Sequence, residues 1–183
     1  IHGTHVGGTI VANRDGSGMH GVAFGANLST AKLFFNTARE WQQAPEGGYS
    51  VESLGGVGPD PSAFVDMYAQ MNDQDVRALN HSWGLATEPN SAEEMDFYLS
   101  HPVFAERLQA IAEGSRAKGM IQVWAAGNSG VNPSPEASPI AGMYASLPRA
   151  LADIEPYWLA VVNVNQALEL SNQSMKCGLA ANW

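Results

Sequence analysis

The stretch that decides the fold is residues 120–130, which read Met-Ile-Gln-Val-Trp-Ala-Ala-Gly-Asn-Ser-Gly. Its first part, Met120–Ala126, is an apolar run with the length and composition of a buried strand. Gly127 then permits a close backbone approach, and the amide side chain of Asn128 follows it. Apolar strands of this kind, buried on both faces, are typical of parallel sheets in α/β proteins.

Further strands and helices are predicted on either side of this run. The other strands are expected at Leu28–Phe34, Val76–Trp83 and Trp158–Asn165. The helices are expected at His2–Asn13, Ser62–Asp73 with Ser62 as N-cap, Ser91–Leu99, and Pro102–Lys118 ended by Gly119. Arg39–Pro61 is polar and rich in Gly and Pro, which predicts a long surface loop. The pattern predicts one α/β domain over residues 1–183, with a mostly parallel sheet and helices on both faces.

Composition and charge restrict the classes of function. The chain has 183 residues, is 45% hydrophobic and carries a net charge of −9, which indicates an acidic globular domain. Nucleic acid is disfavoured as a partner because phosphate binding needs clustered Lys and Arg. No apolar run approaches the roughly 18–20 residues that cross a bilayer. The lone Cys177 excludes an internal disulfide and a cysteine-based metal site within these residues.

Four short segments carry residues that could perform chemistry. They are His2–Thr9, Gly21–Ala26, Asn80–Gly84 and Ala125–Gly130. His2 and His5 could share a helix face as a metal pair, but no third ligand is suggested by the spacing and no Glu accompanies them. An Asn after a strand and a glycine can donate N–H to a developing oxyanion, although such a turn is more often only a loop.

Taken together, these four segments resemble the subtilisin-like serine proteases. His2–Thr9 is similar to the family's His-Gly-Thr-His-Val-Ala-Gly-Thr block, with Gly7 in place of the usual alanine. Gly21–Lys32 resembles its Gly-Val-Ala block and following strand, Asn80–Gly84 its Asn-x-Ser-x-Gly segment, and Ala125–Gly130 its Ala-Ala-Gly-Asn-x-Gly segment. All four occur in the family's order, so the resemblance implies the three-layer subtilisin-like fold and a serine endopeptidase.

The resemblance implies a role for each matching residue. His2 would be the general base of the Ser-His-Asp triad, and Asn128 would be the side chain of the oxyanion hole. His5 would be a buried structural histidine one turn further along the helix. The segments that would bind an extended polypeptide substrate and wall its P1 pocket are Ser82-Trp83-Gly84 and Ala125-Ala126-Gly127. Trp83 beside that pocket is compatible with apolar P1 residues.

Two parts of the family pattern are not found. The family's aspartate precedes its histidine, whereas Asp15 follows His2 in a Gly-rich turn and is rejected as a substitute. The nucleophile belongs in a Gly-Thr-Ser-Met block, which the Ser174-Met175 pair does not match. We therefore expect residues 1–183 to be an internal part of a longer chain, with a fold incomplete at both ends and no protease activity on their own.

Alternatives to an active endopeptidase remain open at this point. The chain could belong to a catalytically inactive pseudoprotease that keeps the fold for binding, or to a metal hydrolase using His2, His5 and His20. No cofactor or metal is predicted. Calcium is common in the family and the acidic stretch Glu40–Asp96 could hold an ion, but it contains no EF-hand loop. The resemblance implies a secreted or cell-surface protein.

Overall fold

A computed structural model describes residues 2–31, 61–84, 89, 91–127 and 141–169 of the chain. Its contacts fall into two compact units, Ile1–Lys32 and Leu33–Trp183. The predicted loop before Pro61 and the oxyanion candidate Asn128 both lie outside the described residues. The prediction of a single domain over residues 1–183 stays a prediction.

The first unit is built on helix α1, His2–Val11, which confirms the helix predicted at this end of the chain. The chain then returns across the end of α1, where Val22 N–H donates to the Thr9 carbonyl at 3.0 Å and Ala23 N–H to the Ile10 carbonyl at 2.7 Å. These bonds satisfy carbonyls that a helix end otherwise leaves without partners. The first two motif segments therefore form one local structure.

Gly21 lies at the closest point of this return. A Cβ atom built on Gly21 would lie 2.5 Å from both the Ile10 carbonyl oxygen and the Val11 nitrogen, which are backbone atoms that cannot swing aside. Only glycine fits such an approach. The local fold thus explains why the Gly-Val-Ala segment begins with this residue.

The strand predicted at Leu28–Phe34 is wrong for its described part. Residues 28–31 belong to no strand and are exposed to solvent, and residues 32–34 lie outside the description. An alternating pattern specifies a strand only when a neighbouring strand supplies its hydrogen bonds. The described residues of the first unit supply no such neighbour.

The second unit contains a parallel three-stranded sheet, which confirms the predicted α/β class. Its strands are β1 (Ala78–His81), β2 (Ile121–Ala125) and β3 (Trp158–Val161), hydrogen-bonded in the order β1-β2-β3. Its helices are α2 (Pro61–Asp73), α3 (Ala92–Ser100) and α4 (Pro102–Lys118). Two 3₁₀ helices, Leu147–Arg149 and Ala152–Tyr157, precede β3.

Local signals in the sequence set most of these boundaries. The Ser91 hydroxyl accepts the Glu94 N–H at 3.1 Å and so caps the start of α3. Helix α4 ends before Gly119, whose φ of +66° is the left-handed conformation that glycine adopts readily. Ser62 is not an N-cap, because the helix already begins at Pro61, a residue favoured in the first turn.

The described helices of the second unit all contribute to one core against one face of the sheet. Along β1 and β2 the buried residues alternate, so that Leu79, His81, Gln122 and Trp124 point into this core. Leu159 and Val161 on the opposite face are each 52% exposed. Within the described part of this unit, the second helical layer that the sequence predicted is not seen.

Candidate active site

Two of the predicted site segments lie side by side at the carboxyl edge of the sheet. Residues of β1 and β2 pair in register up to His81 opposite Trp124, so Ser82-Trp83-Gly84 follows β1 at the edge where β2 ends in Ala125 and continues into Ala126-Gly127. Carboxyl edges of parallel strands are where binding sites form in α/β proteins. The structure therefore brings together the six residues that the sequence predicts to bind substrate.

The second of these segments is held by backbone bonds on both sides. Ala126 is fully buried, its N–H donates to the Val161 carbonyl, and its own carbonyl accepts the Gly142 N–H, each at 2.9 Å. Gly127 then has φ of +116°, a conformation that strains any residue with a side chain. This glycine turns the chain out of the sheet immediately before Asn128.

The first segment is held differently, through its side chains. Asn80, on the face of β1 away from the helices, donates from Nδ2 to the Ser82 hydroxyl at 3.0 Å. The Trp83 ring packs toward the helices, with ring centroids 6.1 Å from Phe64, 5.2 Å from Trp124 and 4.8 Å from Tyr144. The indole of Trp83 is partly buried and packs against the core.

A buried histidine lies directly beneath these two segments. His81 is 2% exposed, and its imidazole stacks on the Trp124 ring with centroids 3.8 Å apart and planes 4° from parallel. Its Nε2 lies 2.7 Å from Gln122 Oε1, and its Nδ1 lies 3.1 Å from the Tyr68 hydroxyl. Burial lowers the pKa of His81 to about 4, although the hydrogen bond to Gln122 opposes that change.

The hydrogen-bond chemistry assigns the tautomer of His81. Gln122 Nε2 donates to the Ile111 carbonyl at 3.1 Å, which leaves Oε1 to accept a proton from His81 Nε2. Nδ1 then accepts from the Tyr68 O–H, which stays protonated because burial raises its pKa well above the usual value. The imidazole is neutral and uses both of its nitrogens.

Sequence reasoning did not identify His81 as important. The sequence does indicate that His81 and Gln122 are buried polar residues. Alternation along Val76–Trp83 places His81 on the same face as Leu79 and Trp83, and Gln122 lies in an otherwise apolar strand. A polar residue on a buried face needs a partner, and these two residues are each other's partners. Only the strand register shows that they meet.

The catalytic histidine predicted from the sequence lies in the first unit. His2 is the first residue of α1 and is exposed. His5, one turn further on, is also exposed, so the prediction that it is buried is wrong; α1 buries none of its side chains within the described residues. The Thr9 hydroxyl donates to the His5 carbonyl at 3.0 Å, inside the helix. Among the residues that the structure describes, no group of three or more His, Cys, Asp or Glu side chains is placed to hold a metal.

Comparison with known proteins decides the family. The model of the subtilase family, peptidase S8, matches residues 1–183. The chain belongs to the subtilase family. The resemblance drawn from the four motif segments is thereby confirmed.

Two relatives of this subtilase are extracellular serine proteases by name. It is 31% identical over 189 residues to an extracellular serine protease of Serratia marcescens, and 28% identical over 201 residues to a second one from that organism. Both alignments cover 100% of the chain but 18% of the relative. Fervidolysin of Fervidobacterium pennivorans is 31% identical over 131 residues, 71% of the chain and 16% of that protein. No solved structure matches.

The subtilase thus spans less than a fifth of the length of these curated relatives. None of the helices in the described ranges is long and apolar enough to cross a membrane.

Proposed function

We propose that these residues are part of a serine endopeptidase that hydrolyses peptide bonds through a Ser-His-Asp triad. The observation that carries the proposal is the pairing of β1 and β2, which sets Ser82–Gly84 beside Ala125–Gly127 at the carboxyl edge of the sheet. Family membership supplies the reaction class. In this proposal His2 is the general base and Asn128 stabilises the oxyanion.

His2 would perform two proton transfers. It accepts the proton of the nucleophilic serine as that oxygen attacks the scissile carbonyl, and it then protonates the leaving amine. Asn128 would donate its amide N–H to the oxygen that becomes negative in the tetrahedral intermediate. The family's serine and aspartate blocks do not occur in residues 1–183, so we expect the intact gene product to supply both.

The two segments at the sheet edge would hold the substrate by its backbone. An extended peptide would lie beside them and bond to backbone groups of Ser82–Gly84 and Gly127, as in strand addition. The N–H and C=O of Ala126 are already bonded, to Val161 and Gly142. Such binding recognises the main chain and tolerates many side chains, which suits an endopeptidase of broad specificity. The inward direction of the Trp83 ring supports this backbone mode, since that side chain already packs against Phe64 and Tyr144.

The partner of the protein in this proposal is polypeptide, and its location is outside the cell or at the cell surface. The names of the Serratia relatives support secretion. A net charge of −9 speaks against nucleic acid as an additional partner, because phosphate contacts need clustered cations.

The experiment that tests the proposal uses the intact gene product and internally quenched peptides. We expect hydrolysis that a serine-directed fluorophosphonate abolishes. Asn128→Ala should reduce turnover by about 10²–10³, the magnitude measured for this donor in a subtilisin, while peptide affinity changes little. His5→Ala is the matched control and should retain most activity. A folded protein that neither hydrolyses peptides nor reacts with the fluorophosphonate would instead be an inactive binding protein of the same fold.

A further inference from the structure

We propose that His81 is a positioning residue, which together with Trp124 sets the separation of the two backbone segments that bind substrate. The inference rests on the proposed function, because it assigns those segments to the substrate. It adds a residue that does not itself touch the peptide and that sequence motifs did not reveal.

The position of the pair in the sheet is the first argument. His81 and Trp124 are the last residues joined in register between β1 and β2, and their rings are stacked 3.8 Å apart. The next residues along each strand, Ser82 and Ala125, begin the two segments. The stacked rings therefore add to the backbone pairing in holding the strands together at the point where the binding segments start.

The hydrogen bonds of His81 are the second argument. The chain of contacts runs from the Tyr68 hydroxyl in α2 through His81 in β1 to Gln122 in β2 and the Ile111 carbonyl in α4. It requires a flat ring with a donor on one side and an acceptor on the other, which among side chains is neutral imidazole. A fully satisfied buried network of this kind specifies one arrangement of the elements that it joins.

Direct contact with the first binding segment is the third argument. The Trp83 ring meets the His81 ring edge-to-face, with centroids 6.0 Å apart. Trp83 also contacts Trp124, so its indole packs against both of the stacked rings. A change in the position of the imidazole would move the indole and, with it, the backbone of Ser82–Gly84.

The test compares His81→Phe with Ser115→Ala in the intact gene product. His81→Phe keeps a flat ring and removes both hydrogen bonds. Ser115→Ala removes a buried hydrogen bond, from the Ser115 hydroxyl to the Met120 carbonyl at 2.8 Å, near the amino end of β2. We expect His81→Phe to raise KM for a long peptide by about tenfold, with kcat for a small activated ester changed less than about twofold. Ser115→Ala should leave both unchanged.

Hydrogen exchange makes the result independent of catalysis. Amides of residues 82–84 and 125–127 should exchange faster in His81→Phe than in wild type, and at the wild-type rate in Ser115→Ala. If His81→Phe does not fold, His81→Gln is used in both assays, because its side-chain amide can still form a hydrogen bond. Unchanged KM together with unchanged exchange would overturn the positioning role. A wild-type protein without peptidase activity would refute the proposed function. The exchange data would still show whether His81 holds the two segments in position.

Discussion

The rings of His81 and Trp124 lie parallel, 3.8 Å apart, at the last in-register pair between the first two strands of the sheet. This stack joins the aromatic core to the edge where the substrate is proposed to bind. The imidazole is neutral there because burial favours the uncharged form. We therefore expect the stability of the domain and the geometry of the proposed binding edge to depend on the same side chain.

Stability should fall in mild acid because of His81. Its pKa is about 4 in the folded protein, against 6.5 for an unperturbed histidine, so the unfolded chain binds the extra proton first. The stabilisation is fully present above about pH 6.5 and is lost as the pH falls through 4, amounting to about 3 kcal/mol in the free energy of unfolding. Urea unfolding at a series of pH values measures this loss.

His81→Phe is the control for that titration. Phenylalanine cannot bind a proton, so the variant should be less stable than wild type at pH 8 but should lose much less stability between pH 6.5 and 4. An identical pH dependence in both proteins would show that His81 does not carry the effect.

Replacing Arg107 should stabilise the protein. Arg107 is 1% exposed, and all three of its guanidinium nitrogens lack a hydrogen-bond partner in the described part of the chain. Its guanidinium lies over the Phe64 ring, whose centroid is 5.7 Å from Cζ. A buried charge without a partner is costly, and even buried ion pairs can often be replaced by apolar side chains with a neutral or stabilising effect of about 1–4 kcal/mol. We expect Arg107→Met to raise the free energy of unfolding in urea.

Arg116→Met provides the comparison for Arg107. Arg116 lies on the same helix and pairs at the surface with Asp153, with Nε 2.6 Å from Oδ2. Losing this exposed pair should cost less than about 1 kcal/mol. Strong destabilisation by Arg107→Met would contradict this prediction, because it would show that the buried guanidinium makes a stabilising interaction.

Gly21→Ala should destabilise the first unit. The added Cβ would lie 2.5 Å from backbone atoms of Ile10 and Val11, so α1 and the returning chain must separate. Overpacking of this kind typically costs about 1–3 kcal/mol. Hydrogen exchange of residues 2–11 should become faster. Gly25→Ala is the matched control, because nothing lies within 4 Å of its Cβ position, and it should leave the exchange rate unchanged.

Local signals explain why much of the fold could be predicted from the sequence. Pro102–Lys118 was predicted with the bounds that the structure gives, since a proline begins it and Gly119 ends it. The strands at Ala78–His81 and Ile121–Ala125 lie inside their predicted ranges. The strand predicted at Leu28–Phe34 is wrong for its described residues, because a strand needs a hydrogen-bonded neighbour and the local sequence does not show whether one is present.

The candidate site was predictable only as far as its motifs. The motifs predict Ser82–Gly84 and Ala125–Gly127 as substrate-binding segments, and the strand register places the two segments next to each other. The inward direction of Trp83 and the network around His81 depend on which face the helices cover, which no single segment reveals. The roles of His2 and Asn128 stay predictions.

The most direct test of the central claim is peptide hydrolysis by the intact gene product and its His2→Ala variant, measured side by side. The account predicts that wild type cleaves internal peptide bonds and that His2→Ala loses at least about 10³-fold in kcat while still folding and binding the peptide. Retention of full activity by His2→Ala, or turnover by residues 1–183 alone that His2→Ala abolishes, would contradict it.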